Sequence, residues 1–373
     1  MRVFFIENEN PARTSSGGIM SYLINLSAYL SGQQVETILV GAGELKNDSV
    51  ANTKFSRYIP VTVTPDVSNF GYIFSLLRNV RKINLQPADI VHAQRPDMLF
   101  PIILFGINKN RVCSLHGAHD LAVYDKKGKL YGFIYSVLQY LAFKKAAVLI
   151  AVDAATQQHY FKKYPWAQHK TKMIPIGIDF NKFKPLDKTE SKKQYGFSEN
   201  EKVIVFVGRL EKEKNVSFLI ESFRVVLQQN KNAKLVIVGN GREKQKLVSL
   251  VSDLKMNEQI VFMGELSNNE IPLIINAADV FAFCSLYEGS PTVIKEALAC
   301  NIPVVSVDVG DVKKVVSEVA GSFISERDPH KFAQAISNVF NDSVKHNSRD
   351  AIRHYSHTAV GEQTLRLYSE ILM

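Results

Sequence analysis

Cysteine is scarce in this chain of 373 residues: Cys113, Cys284 and Cys300 lie far apart, with no C-x-x-C spacing. That excludes a disulfide scaffold and a cysteine-ligated zinc module, and it predicts three buried thiols in a reducing compartment. Long apolar runs are missing as well. No stretch approaches the roughly 20 apolar residues that cross a bilayer, and the longest candidate, Met98 to Ile107, contains Pro101 and reads as a buried or interfacial helix. The apolar start Val3 to Ile6 runs straight into Glu7, Asn8 and Glu9, unlike a secretory leader. The expectation is a cytoplasmic protein, soluble or peripheral at the inner face of the plasma membrane. There is no G-x-G-x-x-G dinucleotide fingerprint and no Asp-x-Asp arrangement for a hard cation, so no metal and no cofactor are expected. No aromatic-interleaved basic motif points to nucleic acid.

Acidic residues are short in one half only. Residues 1–178 hold 20 Lys and Arg against 11 Asp and Glu, whereas residues 179–373 hold 25 against 25, so the whole net charge of +9 sits in the first half. Such asymmetry fits an acidic partner for that half, or a merely basic solvated surface. Two segments sharpen the first option. Residues 70–82 and 126–145 combine lysine or arginine with dense aliphatic and aromatic residues, as an interfacial helix on an anionic membrane surface does, and as a helix packed on a sheet also does.

The length predicts two domains. Short apolar runs alternate with helical patterns in both halves, the rhythm of a parallel sheet with helices on both faces. The fold class is therefore α/β, with two doubly wound domains, 1–178 and 179–357, and an amphipathic last helix, 358–373. In the first domain a strand leads through Gly17 and Gly18 into a helix, where adjacent glycines let backbone approach a ligand. His92 and His116 each end a strand at the carboxyl edge, and Gly117, His119 and Asp120 follow the second. In the second domain, Gly208-Arg209-Leu210 follows a strand and Lys214 comes five residues after the arginine, a spacing that lets two cations clamp a diphosphate.

The densest signal is Ser285 to Ser306. A strand runs into the loop Ser285-Leu-Tyr-Glu-Gly-Ser, and Pro291 opens a helix with Ser290 as its cap. The amides of Thr292, Val293 and Ile294 become the free donors of a helix N-terminus, suited to an anionic oxygen. Glu288 lies on the loop before them, and Glu296 stacks above Thr292 on one helix face, about 6 Å further along the axis.

Glu288-Gly289-Ser290-Pro291-Thr292, with Glu296-Ala297 and the following Pro303-Val304-Val305, resembles the signature of retaining glycosyltransferase family 4, of the bacterial surface-polysaccharide type and the GT-B fold. Gly17-Gly18, His116, Arg209 and Lys214 resemble the rest of its pattern, in order along nearly the whole chain. The resemblance implies two Rossmann-like domains facing a central cleft, with the last helix crossing back onto the first domain. It implies metal-independent transfer of a hexosyl group from a nucleotide-diphosphate sugar, a UDP-sugar foremost, to a glycan or lipid-linked glycan, with retention at the anomeric carbon. The diphosphate would meet Gly17, Gly18, Arg209, Lys214, Thr292 and Val293. Glu288, Gly289, Ser290 and Pro291 would face the donor sugar, His116 would orient it, and Glu296 would accept hydrogen bonds from the ribose. The nucleobase would lie on the main chain of Val261, Phe262 and Met263, and His92, His119 and Asp120 are acceptor candidates. The alternatives are a sugar-nucleotide epimerase on the same scaffold and a non-enzymatic basic protein that binds nucleic acid.

Overall fold

The computed structural model describes residues 1–11, 18–45, 54–342 and 347–373. The chain divides into two compact units, Met1–Gly177 with His357–Met373, and Ile178–Ser356.

Seven strands build the first unit: β1 (Arg2–Ile6), β2 (Glu36–Gly41), β3 (Arg57–Pro60), β4 (Ile90–Ala93), β5 (Arg111–Leu115), β6 (Val148–Ala151) and β7 (Thr171–Met173). They pair in parallel in the order β3-β2-β1-β4-β5-β6-β7. The reason is visible in β1, whose four residues Val3 to Ile6 are all buried. Because successive side chains point to opposite faces, Phe4 and Ile6 enter the core on one side while Val3 and Phe5 enter the other. A strand with two dry faces needs helices on both, which parallel connections supply.

The helices that bear on function here are α1 (Gly18–Gly32), α2 (Asn69–Asn79), α3 (His119–Lys127) and α4 (Lys129–Lys145). The segment 126–145 is not one helix: Gly128, at φ +82°, breaks it and starts α4 afresh. Strand β3 ends at Pro60, and Val63 beyond it is exposed.

The second unit has six parallel strands, β8 (Lys202–Val207), β9 (Ala233–Val238), β10 (Ile260–Gly264), β11 (Val280–Phe283), β12 (Val304–Val307) and β13 (Phe323–Ser325), in the order β10-β9-β8-β11-β12-β13. The same alternation holds: Val203 and Val205 of β8 face one cluster, Ile204 and Phe206 the other. Helix α5 (Val216–Gln229) follows β8, and α6 (Thr292–Ala299) follows β11. From Pro329 the described chain is helical in four pieces, one of them the 3-10 turn Arg353–Tyr355, and the last, α7 (His357–Leu372), belongs to the first unit. There Leu367 and Tyr368 share a core with Leu23 and Leu26 of α1, and Gly361 is needed for the approach, since a Cβ would lie 2.4 Å from the Tyr29 ring.

Strand order reverses between β1 and β4 in one sheet and between β8 and β11 in the other. The loops leaving such a pair at their carboxyl ends diverge to opposite faces and leave a crevice, where open α/β sheets take ligands.

Candidate active site

In the second unit that crevice lies between the loops after β8 and β11, and one backbone and one thiol hydrogen bond join the two. Leu286 N–H donates to Glu213 O at 2.7 Å, and the Cys284 thiol reaches Lys214 O at 3.2 Å. The consequence is that the Lys214 ammonium and the Glu288 carboxylate form a hydrogen-bonded ion pair, each side chain about one-fifth exposed. Arg209 stands at the rim, 78% exposed and only 3.9 Å from Glu213, a loose contact that leaves its guanidinium open to a ligand. The turn after β9 presses on this loop from the side. Gly239 has φ +133°, and a Cβ there would sit 1.9 Å from Gly208 O, so only glycine fits.

The start of α6 differs from the sequence expectation. Helix geometry begins at Thr292 with Pro291 as the cap, and no side chain caps it. Ser290 instead donates to Asp311 Oδ2 at 2.6 Å and takes a hydrogen bond from the Lys295 ammonium. Lys295 is 1% exposed, lies 3.3 Å from Asp311 Oδ2, and stands 4.5 Å from the centre of the Tyr355 ring. The buried cation thus outcompetes the helix for the serine, and the first amides of α6 keep no side-chain partner. Gly310, at φ +59°, brings Asp311 into place. Its Cβ position lies 2.2 Å from Gly289 O, and Asp311 N–H donates to that same carbonyl at 3.0 Å. Lys295 and Asp311 escaped the sequence reading. A signal existed: Lys295 follows Ile294 in a short helix whose other residues, apart from Thr292 and Glu296, are apolar, an unusual place for a solvated lysine.

Glu296, one turn above Thr292, is half-buried. Burial pushes its carboxyl up to about 7, against a hydrogen bond from Thr292 and the charge of Lys182. On β10 the side chains of Val261 and Met263 pack into one core and Phe262 into the other, so that strand offers a ligand chiefly its main chain. The strand bulges between Phe262 and Gly264, whose carbonyl is taken by Gly239 N–H at 2.7 Å.

In the first unit Gly17 lies outside the described residues, and Gly18 begins α1 with open space around its Cβ position. His116, beyond the end of β5, bonds Gln94 Oε1 through Nε2 at 2.9 Å, and its Nδ1 has no partner among the described residues. Burial, with help from His119, lowers its pKa to about 3, so the ring is neutral at physiological pH. His92 and Asp120 are corrected. His92 is fully buried with both nitrogens engaged, Nδ1 by Tyr368 at 2.6 Å and Nε2 by Ser114 at 2.7 Å, which leaves no atom for an acceptor. Asp120 is buried between Lys163 at 2.6 Å and His159 at 2.9 Å and is equally committed. His119 differs from both, since its Nε2 is buried without a partner.

Among the described residues, no three His, Cys, Asp or Glu side chains gather where they could hold a metal ion, and no helix is long and apolar enough to cross a membrane.

Comparison with known proteins bears on the family and the fold. The family model for Glycosyltransferase Family 4 matches residues 16–182, and that for Glycosyl transferases group 1 matches residues 187–358. An uncharacterised glycosyltransferase of Methanocaldococcus jannaschii is 23% identical over 99% of this chain and 98% of its own length. The UDP-Gal:alpha-D-GlcNAc-diphosphoundecaprenol alpha-1,3-galactosyltransferase of Escherichia coli is 29% identical over 77% of this chain and 75% of its own. Anabaena HepE, crystallised with UDP and glucose, superposes with a TM-score of 0.77 at 19% identity over 99% of each chain. With a matched pattern on each of its two Rossmann-like units and a GT-B neighbour along its whole length, the chain belongs to the family 4, group 1 glycosyltransferases.

Proposed function

We propose that this glycosyltransferase moves a hexosyl group from a UDP-sugar to a lipid-linked glycan, with retention at the anomeric carbon and without a metal. The observation that carries the donor half is the convergence, at the β8/β11 crevice, of Arg209, Lys214, Glu288 and the uncapped start of α6. When the bond from the anomeric carbon to the diphosphate breaks, negative charge grows on the departing phosphate. Two cations and a row of amides stabilise that charge, which is how a site can dispense with a divalent ion. Glu288 is freed from Lys214 as the lysine turns to phosphate, and its carboxylate then faces the sugar hydroxyls and the developing positive charge of the ring. Attack from the face that the diphosphate leaves puts the acceptor hydroxyl beside the departing oxygen, which takes its proton. The E. coli relative and the Anabaena structure, whose names carry UDP-galactose and UDP, support uridine as the base.

The acceptor half rests on the first unit. On α4 the inward residues Tyr135, Ala142 and Phe143 are buried, yet the outward ones, Leu130, Phe133 and Val137, are also apolar and are 70%, 63% and 43% exposed. A helix apolar on every side is meant to be covered on every side. Phe70 and Phe74 expose α2 in the same way, with Arg78 stacked 4.3 Å from the Phe74 ring, and Lys144 lies 5.1 Å from Tyr140 on α4. Aromatic rings paired with cations suit an anionic membrane surface, where a lipid-linked acceptor would be met.

Donor specificity is tested by thermal shift and hydrolysis across UDP-, GDP- and ADP-sugars, with product anomers assigned by NMR and chelator added in parallel. A uridine-selective shift and chelator-resistant turnover with retained configuration are expected; inversion, or loss of turnover on chelation, overturns the corresponding part. Flotation with anionic and neutral vesicles tests the surface, and failure to bind either removes it.

A further inference from the structure

The first unit contains a cavity of about 270 Å³ that the donor chemistry does not use, bounded by α2, α3, α4 and the segment after β4. Ile73, Val123 and Leu138 supply aliphatic wall. Phe70, Tyr131 and Ile134 line it too, and are 66%, 54% and 44% exposed, so the mouth opens onto the uncovered apolar face of α2 and α4. A volume of this size holds on the order of nine water- or methylene-sized groups, enough for part of a ligand and too little for a whole nucleotide sugar.

The polar groups at the lining set its chemistry. Arg95 and Asp97 close on each other in a two-pronged pair, Nε to Oδ1 at 3.1 Å and a terminal nitrogen to Oδ2 at 2.8 Å. The guanidinium is therefore not a free phosphate receptor, and the pair is neutral. Among the described residues, two buried atoms in the lining lack a partner: His119 Nε2, and the hydroxyl of Tyr135, a residue 5% exposed. Buried polar atoms are nearly always bonded in a finished structure, so a vacant donor–acceptor couple beside an apolar wall asks for a neutral oxygen attached to carbon. A neutral imidazole and a phenol can serve one ligand oxygen together: an oxygen that bridges two carbons has no proton of its own, so Tyr135 and the Nε2–H tautomer of His119 both donate to its lone pairs.

We propose that this cavity binds the aliphatic segment of an amphipathic acceptor, with the uncharged oxygen that joins the segment to its polar head held by His119 and Tyr135. The proposal rests on the glycosyl-transfer reading for calling the ligand an acceptor, and on the cavity alone for its being an uncharged amphiphile.

The test uses the full chain and three probes below their micellar concentrations: n-octyl β-D-glucoside, glucose and n-octyl phosphate, with binding followed by titration calorimetry. UDP-induced thermal shift is measured alongside. Octyl glucoside is expected to bind at least tenfold more tightly than either other probe. Leu138→Trp, which fills the cavity, is expected to abolish that binding, and Tyr135→Phe, which keeps the shape, to weaken it about tenfold, both with the UDP shift unchanged. No binding by the parent, tighter binding of octyl phosphate, or octyl glucoside binding that neither variant alters would overturn the proposal, the last showing adsorption to the exposed face. Should Leu138→Trp fail to fold, Tyr135→Phe decides. If the parent binds octyl glucoside in the expected manner but shows no UDP shift, the donor reading fails while the cavity assignment stands.

Discussion

The Lys214 ammonium and the Glu288 carboxylate neutralise each other across 74 residues of sequence. The joined backbones of the β8 and β11 loops hold them there, through Glu213, Lys214, Cys284 and Leu286. Cation and anion thus wait in mutual contact at the place where a diphosphate and a sugar would separate them, and each holds the other's side chain in place until then.

Lys214→Ala is therefore expected to cost about two to three orders of magnitude in turnover at saturating donor, with the melting temperature changed little, because a part-exposed pair contributes about 1 kcal/mol or less to stability. Steady-state kinetics with a denaturation curve checks both. Near-native kcat at saturating donor would sink the diphosphate role.

Glu296 gives a pH signature. Its carboxyl is held at about 7 in the folded chain against an ordinary 4.5, mainly by burial. Between those values the folded chain binds more protons than the unfolded one, so this group's contribution to stability falls as pH rises from 4.5 to 7 and stays low above. Glu296→Gln should then be more stable than the parent at pH 8 by about 2–3 kcal/mol and nearly equal to it at pH 4.5. Donor affinity in the parent should rise with pH through about 7, as the carboxylate becomes a full acceptor for ribose hydroxyls, and the glutamine variant should lose that rise. Urea titrations and UDP binding at the two pH values decide, and parallel profiles for parent and variant would refute the assignment.

Much of this was legible in the chain because the relevant physics is local. A run such as Val203 to Val207, apolar on both faces and followed by glycine, has few fates other than a central parallel strand, and Arg209, Lys214 and Glu288 then fall at strand ends by counting. What escaped depends on partners distant in sequence. Ser290 reads as a helix cap because caps are local; its capture by Lys295 and Asp311 required knowing that Gly310 folds the next loop back onto Gly289. His92 looked available as a strand-end histidine, and only Tyr368, 276 residues away, shows that it is enclosed. Asp120 was misjudged likewise, since its partner Lys163 comes 43 residues later in the chain.

The enclosed His92 yields a contrasting prediction. Burial lowers its pKa to about 3, so it is a neutral bridge between Tyr368 and Ser114. His92→Leu removes both bonds and leaves two buried hydroxyls unpartnered, at about 1–3 kcal/mol each. The expected result is a clear loss in denaturant midpoint with KM for donor and acceptor unchanged in the fraction that stays folded. A raised acceptor KM without loss of stability would restore His92 to the acceptor site.

Lys295 tests whether the donor loop is held by a buried charge. With Asp311 10% and Lys295 1% exposed at the side chain, their pair and the Ser290 hydroxyl between them form a desolvated network. Removing one member of such a network strands the other, so Lys295→Met is expected to destabilise by about 3–5 kcal/mol. Adding Asp311→Asn should recover part of that loss, because the stranded carboxylate is gone. Function should not recover with it: Ser290 then loses its charged partners, Glu288-Gly289-Ser290 is released, and the donor KM stays raised in the double variant. Denaturation and donor kinetics on the two single variants and the double form a cycle that separates the terms. If stability and donor KM recover together, the network only supports the fold; if KM remains high while stability returns, Lys295 and Asp311 position the loop that carries Glu288.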